Sequence, residues 1–473
     1  MDYTKSNYNS YEEQKQYIEF IKNINQEYFE KNKRHKLFCV VTFGCQMNVR
    51  DSETLKGMLL DMGYMETDSE KSADIVIYNT CCIRENAENK VYGNLGILKS
   101  YKRKNKDLKI VLCGCMMQQD SVIENIKKSY AHVNVIFGTF NVQRFPELLK
   151  ANIDTNELII DVWDKHTEIT EDLPAKRESE FKASVNIMYG CDNYCTYCVV
   201  PYVRGRERSR KTEDIINEIK SLVADGVIEI MLLGQNVNSY GKNLENPISF
   251  AELLREVNKI DGLQRIRFVT SHPKDISEEL LIAMKECEKV CNHLHLPFQS
   301  GSNDILKAMN RRYTKEHYLD IVKKAKELLP NLGLTTDIIV GFPGETDEDF
   351  KDTLSVAEQC EFSAAYTFIY SKRTGTPAAT MENQVSEEDV KVRFKELLNL
   401  VNDGFYEYNK SFIGKTVKVL VETVNEQNNE LITGRTSENV LVHLLGDESL
   451  IGKIVDVNIN GNKSFYMTGE LVK

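Results

Sequence analysis

The sequence predicts an α/β chain in three parts: an N-terminal parallel α/β domain, a partial (β/α)6 barrel and a small C-terminal β-barrel. Three observations predict it. Between 36 and about 150, strand-like apolar runs alternate with longer, helix-compatible stretches, the pattern of a parallel sheet with crossover helices. From 183 to about 370 the same alternation returns six times, which suggests an open or partial barrel with its chemistry at the carboxyl ends of the strands. Beyond 411 only short β-branched runs remain, separated by Gly and Asn. A length of 473 residues suits several domains better than one core.

Taken in order, residues 1–35 read as a mobile leader with one short amphipathic helix, because Tyr17, Ile18, Ile21, Ile24 and Tyr28 recur at helical spacing. The α/β domain is expected over 36–154, with strands "KLFCVVTF", "ADIVIYNT", "LKIVLCG" and "VNVIFGT". The charged stretch "EDLPAKRESEFK" reads as a linker. A second domain is expected over 177–408, with strands "ASVNIMYG", "VIEIMLLG", "RIRFVT", "HLHLPF", "LTTDIIVGF" and "AAYTFIY". Polar loops follow directly on several of these strands: "GQNVNSYG", "SHPKD", "QSGSND" and "GFPGETDE". A helix over about 385–408 leads into the last domain, 411–473.

No apolar run approaches the roughly 18 residues of a membrane span, and the first stretch lacks the apolar core of a secretion signal. A cytoplasmic protein without a membrane partner is expected, with monomer as the default state. Reducing compartments keep thiols free, so clustered members of the 12 cysteines point to metal binding rather than disulfides. The net charge of −11 argues against a generic nucleic-acid coat, although local basic runs exist.

Cys191, Cys195 and Cys198 are spaced C-x3-C-x2-C on the loop leaving the first barrel strand. One loop can wrap a metal cluster with that spacing, and thiolates suit iron–sulfur iron or zinc. A closed zinc site needs a fourth ligand, and the next candidates, His272, Cys287, Cys291, His293 and His295, lie far along the chain. A cube held by three cysteines instead keeps one iron open for a ligand, by the open-site logic that separates catalytic from structural zinc. In the first domain Cys45, Cys81 and Cys115 each follow a strand, and the carboxyl ends of parallel strands share one edge. A second three-cysteine cluster is therefore expected there. Cys39 and Cys113 fall within strand patterns and read as core residues. Cys82 competes with Cys81 for the same role.

The C-x3-C-x2-C loop at the head of a six-fold βα barrel resembles the radical S-adenosylmethionine (SAM) superfamily. That resemblance implies a [4Fe-4S] cluster whose open iron chelates SAM and whose electron splits it to a 5′-deoxyadenosyl radical. It also implies a loop after the second strand that holds the methionine amine; here that loop reads Gly234, Gln235, Asn236, without the usual carboxylate. Asp337 and Glu345 could form a general acid/base pair, but the preferred reading is that they hold SAM or loop structure. Arg204, Arg206, Arg208 and Arg210 alternate, so in an extended strand they form two pairs. One pair, with Arg204, is a candidate for the SAM carboxylate or RNA phosphates, against a bland reading as salt bridges.

Two cysteine trios followed by a β-barrel resemble the methylthiotransferases, over about 36–473. The motifs "TFGCQMN", "NTCCIRENAENKVYGNLG", "GCDNYCTYCVVPYVRGRERSR", "LPFQSGSNDILKAMNRRYT" and "DIIVGFPGETDEDF" are most similar to the branch that acts on N(6)-dimethylallyladenosine in tRNA. "GRTSENVLVH" resembles the TRAM RNA-binding module, with Arg435, Lys415 and Lys418 as candidate contacts. The resemblance selects Cys81 over Cys82. It implies two [4Fe-4S] clusters, SAM as methyl donor and radical source, methylthiolation of adenine carbon 2 next to the anticodon, and both clusters facing one cavity. The tRNA anticodon stem-loop would be the partner, with sulfur and electron donors unidentified. Alternatives are methylthiolation of threonylcarbamoyl-adenosine in tRNA or of a ribosomal-protein aspartate, and a noncatalytic iron–sulfur or zinc RNA-binding protein.

Overall fold

The computed structural model describes residues 11–82, 85–164 and 168–472. The chain divides into two compact units. One runs through Glu178 and adds 189–191 and 199–208; the other holds 179–188, 192–198 and 209–473.

The first unit is built on a six-stranded, all-parallel sheet of β1 (Leu37–Thr42), β2 (Met65–Glu66), β3 (Ile75–Thr80), β4 (Lys109–Gly114), β5 (Val135–Phe137) and β6 (Ile159–Asp161), in the order β2-β1-β3-β4-β5-β6. Alternate residues of the central strands serve opposite faces. Ile75, Ile77, Val111 and Cys113 pack with Leu55, Met58 and Leu149 on one side. Val76, Tyr78, Ile110 and Leu112 pack with Val91, Leu95 and Ile126 on the other. With both faces covered, β3 is buried throughout, as a parallel strand between helical layers should be. The expected core residues Cys39 and Cys113 are buried in these layers.

One expectation for this unit needs correction. The leader helix, Tyr11–Asn32, is not free: Ile18 and Ile21 enter the core, and Asn25 Nδ2 donates to Met62 O at 2.8 Å. The linker stretch carries the boundary between the units, at 178/179, and its first half is strapped to the first unit. Gly57 leaves room for it, since a Cβ there would come within 2.8 Å of Ala175 N, and Lys176 N donates to Glu53 O at 2.9 Å.

In the second unit six parallel strands form two three-stranded ladders. The first three are Lys182–Asn186, Glu229–Leu233 and Arg265–Phe268; the next three are His293–His295, Gly333–Val340 and Ala364–Ile369. Between the ladders, among the described residues, a single isolated bridge, Ile266↔Val290, is made. The later crossover helices start on side-chain caps, including capping boxes at Ser249 and Thr346, which satisfy backbone N–H groups left over at a helix start. The helix Glu387–Lys410 buries Leu397, Val401 and Phe405 in the same core.

The last five strands close into a barrel around Val419, Val421, Val442, Val457 and Met467. Its turn at Arg435–Asn439 seals the amino-terminal end of the larger barrel. Arg267, 3% exposed, donates to Thr436 O at 2.7 Å, Ser437 O at 3.2 Å and Glu229 Oε2 at 3.0 Å. Arg265 donates to Arg435 O and Lys418 O, both at 2.9 Å. Gly333 has no room for a Cβ against Glu438 O. That seal leaves the carboxyl ends of the strands for chemistry.

Arg267→Met should strand the Glu229 carboxylate and two carbonyls, at a cost of about 3–5 kcal/mol. Denaturant unfolding should show a lowered midpoint, and limited proteolysis should release the last barrel early. An unchanged midpoint would contradict this account of the seal.

Candidate functional site

In the first unit the register sets the ends of three strands side by side, with Thr42 opposite Asn79 and Thr80 opposite Gly114. Cys45, Cys81 and Cys115 are carried by the loops leaving those ends. Cys45 caps the helix Gln46–Asp61 in extended geometry, and Cys115 opens a turn of 3-10 helix. Two glycines permit the approach. Gly44 (φ +118°) has the Cys81 side chain where a Cβ would stand, and Gly114 (φ +92°) faces Thr80 and Asn79 in the same way. Such positive φ values suit glycine.

Buried amides fix these loops. Asn48 Nδ2 donates to Asn79 Oδ1 and Thr80 O, both at 3.0 Å, while Asn79 Nδ2 donates to Asn48 O at 2.8 Å and Ser52 Oγ at 3.0 Å. Asn48 Oδ1 then accepts from the Cys45 thiol at 3.3 Å. Cys115 lies against Cys82, whose thiol hydrogen-bonds to it. That bond, helped by the Arg204 charge and opposed by burial, draws Cys115 below the ordinary thiol range and pushes Cys82 up.

Arg204 belongs to this group of residues and not to an extended cationic strand. The chain forms a helical turn at Val200–Val203, with Val199 and Val203 in the first unit's core and Thr139 Oγ1 bonded to Val203 O at 2.7 Å. The guanidinium, a candidate for the SAM carboxylate or RNA phosphates with salt bridging as the bland reading, donates to Cys115 Sγ at 3.2 Å, Asp51 Oδ2 at 2.9 Å and Asn48 Oδ1 at 3.3 Å. Arg208 covers the Phe140 and Tyr189 rings, and Arg210 pairs with Glu218 at 2.6 Å. Sequence reasoning missed Asn48 and Asp51, although both follow Cys45 on the first turns of one helix.

Cys191 is buried and its N–H donates to Gly205 O at 3.1 Å. Cys195 and Cys198 sit on the loop 192–198, where Cys198 N–H donates to Cys195 O at 2.9 Å. The segment "AMNRR" holds that loop. Thr196 bonds to Ala308 O and Met309 O at 2.9 and 3.1 Å, and Asn310 Nδ2 donates to Asn193 O and Tyr194 O at 3.1 and 3.0 Å. Arg311, fully enclosed, places Nη1 3.6 Å from Cys195 Sγ and donates through Nε to Tyr313 Oη at 3.3 Å. The His272 ring meets Tyr313 edge-on at 5.8 Å.

Around the carboxyl ends of the second, third and fourth barrel strands lie polar atoms that are buried and lack a hydrogen-bond partner among the described residues: Asn236 Oδ1, Asn238 Nδ2, Ser271 Oγ, His272 Nε2 and Gln299 Oε1. Each such group costs roughly 1–3 kcal/mol unless a ligand satisfies it, so the set fits a polar ligand. Thr270 and Gln299 also hold positive φ there, the backbone strain that functional sites store. His272, in the sequence only a distant zinc-ligand candidate, is buried here. Burial and nearby Arg311 and Lys274 push it well below the usual imidazole range, so the ring is neutral. Its Nδ1 accepts from Lys274 N at 3.2 Å.

The loop Gly234, Gln235, Asn236 follows the second strand, and Gly234 packs too closely on Met188 for any side chain. Asn236 Nδ2 donates to Asp275 Oδ2 at 2.8 Å, so its carbonyl oxygen faces away from that carboxylate. Asp337 lies on the fifth strand, opposite Tyr366 and 3.6 Å from His295 Nε2. Glu345 is turned to structure instead, paired with Arg393 at 2.9 Å and accepting from Gly341 N at 3.0 Å.

Among the described residues no three His, Cys, Asp or Glu side chains gather tightly enough to grip a single metal ion. Each trio supplies three thiolates, the donor type that iron–sulfur clusters take. In the described residues no helix is long and apolar enough to cross a membrane.

Three family models match the chain: the radical SAM superfamily over 185–357, the uncharacterized protein family UPF0004 over 37–138, and the TRAM domain over 410–472. The tRNA-2-methylthio-N(6)-dimethylallyladenosine synthase of Alkaliphilus oremlandii (strain OhILAs) is 58% identical over 440 residues, covering 93% of each chain. The protein of the same name from Clostridioides difficile (strain 630) is 54% identical over 462 residues, covering 98% of this chain and 97% of that one. In fold, the chain is similar to the radical S-adenosylmethionine methyltransferase TsrM from Kitasatospora setae, with a TM-score of 0.54 at 14% identity over 73% of this chain and 75% of that one. Superfamily membership brings with it an iron–sulfur cluster and SAM. The chain belongs to the family of the tRNA-2-methylthio-N(6)-dimethylallyladenosine synthases, within the radical SAM superfamily.

Proposed function

We propose that this protein methylthiolates carbon 2 of N(6)-dimethylallyladenosine next to the anticodon in tRNA, with SAM as methyl donor and radical source. The observation that carries the reading is the near full-length identity to synthases bearing that name. Cys191, Cys195 and Cys198 would hold the cluster that binds SAM, and Cys45, Cys81 and Cys115 an auxiliary one. When bound, the clusters and SAM supply the sulfur and the one-electron chemistry that a strong, nonacidic C–H bond requires, work beyond any side-chain base of ordinary pKa.

The chain's own part is to bind and orient. Asn236 would accept from the SAM ammonium through Oδ1, with Asp275 polarising the amide from behind. The carboxylate missing from this loop would thereby be supplied indirectly, by Asp275 from the segment after the third strand. Ser271, neutral His272 and Gln299 would satisfy other polar groups of the ligand, and Asp337 lies within the fifth strand, its carbonyl accepting from Gln299 N. Arg311 would hold Cys195 in place. The partner is the tRNA anticodon stem-loop, read by splaying out an unpaired base; an electron donor and a sulfur donor complete the reaction. We place the protein in the cytoplasm as a monomer.

Mass spectrometry of tRNA nucleosides tests this directly. Cells lacking the gene should lose the 2-methylthio form and accumulate N(6)-dimethylallyladenosine, and an unchanged nucleoside profile would refute the reading. Cys191→Ala should abolish SAM cleavage, while Cys45→Ala should keep cleavage and stop thiolation; cleavage retained by the first variant would refute the assignment. Asn236→Leu removes an acceptor for a charged donor, worth about 1.5–3 kcal/mol. SAM binding by calorimetry should therefore weaken roughly tenfold or more, and an unchanged Kd would exclude Asn236 from the site.

A further inference from the structure

We infer that Arg204 is a positioning residue for the cluster of the first unit: it donates to the Cys115 sulfur and, balanced by Asp51, raises that cluster's reduction potential. The inference rests on the reading of Cys45, Cys81 and Cys115 as ligands.

Arg204 is 4% exposed, and a guanidinium cannot shed its proton to relieve burial. Its charge must be answered by neighbours. Two atoms on one edge of the fork do so: Nε donates to Cys115 Sγ at 3.2 Å, and Nη2 donates to Asp51 Oδ2 at 2.9 Å. This planar fork spans a carboxylate and a sulfur at once, which a lysine ammonium cannot copy. Asn48 joins the arrangement from the other side. Its Nδ2 is committed to Asn79 and Thr80, so its Oδ1 is fixed facing both Arg204 Nη2 and the Cys45 sulfur. One buried cation thereby reaches two of the three sulfur positions, one directly and one through an amide.

Hydrogen bonds to ligand sulfurs and nearby positive charge favour the reduced, more negative cluster and so raise its potential. Asp51 opposes this with one negative charge. Removing the arginine and removing the aspartate must then move the potential in opposite directions. A residue that merely packs would move it in neither, or in the same direction for both.

The test uses the full chain carrying Cys191→Ala, Cys195→Ala and Cys198→Ala, so that only first-unit iron remains, reconstituted anaerobically and titrated potentiometrically with electron paramagnetic resonance. Arg204→Gln should lower the reduced-to-oxidised ratio at the parent midpoint about tenfold, equivalent to about 59 mV for one electron. Asp51→Asn should raise that ratio. Absence of iron in the parent would defeat the ligand reading itself. Iron present with midpoints that stay fixed, or that shift together, would overturn the inference alone. Should Arg204→Gln bind no iron, Asp51→Asn decides: a raised midpoint supports the inference, and a fixed or lowered one overturns it.

Discussion

The carboxyl edge of a parallel sheet is the constraint on which the first unit depends. In-register parallel pairing forces the loops after β1, β3 and β4 to leave the sheet together, whatever their sequences. The cysteines need only be the first reactive residues on each loop, and Gly44 and Gly114 supply the close approach that a side chain would block. The Asn48, Asn79 and Ser52 network then turns three loose loops into one fixed edge. Burial of that network is affordable because nearly every member meets a partner.

The second unit solves the opposite problem. Its strand ends are built around polar atoms that the described residues leave unmatched, whereas its amino-terminal mouth is closed by carbonyls fully engaged with Arg265 and Arg267. Stability is concentrated at one end and unmet hydrogen-bonding capacity at the other. A polar ligand is the natural complement of such an end. The TRAM turn "GRTSEN" serves this closure through its backbone, which leaves Arg435 with Glu422 as its ionic partner at 3.4 Å.

Much of this was legible. Runs of β-branched and apolar residues located the main strands of the first sheet, all six barrel strands and the closing five-stranded barrel, because burial on one or two faces leaves a period that sequence preserves. The cysteine positions after strands could be read for the same reason. What could not be read depends on distant partners. β2 has two residues and β6 three, too short for any period. The docking of the first helix depends on bonds such as Gln14 to Glu147, 133 positions apart. Alternating arginines allowed an extended strand, which forms only at Arg208–Ser209; before it, burial of Val199 and Val203 curls the chain and delivers Arg204 to Cys115. Cys81 and Cys82 are adjacent in sequence, and only the fold reveals that Cys82 carries the thiol bonded to Cys115.

The central claim is that each cysteine trio holds its own four-iron cube, and metal analysis of the anaerobically reconstituted full chain tests it most directly. The account predicts about eight irons and as many sulfides per chain, falling to about half when either trio alone is replaced by alanine. Stoichiometric zinc in place of iron, or a single trio accounting for all the iron, would contradict it.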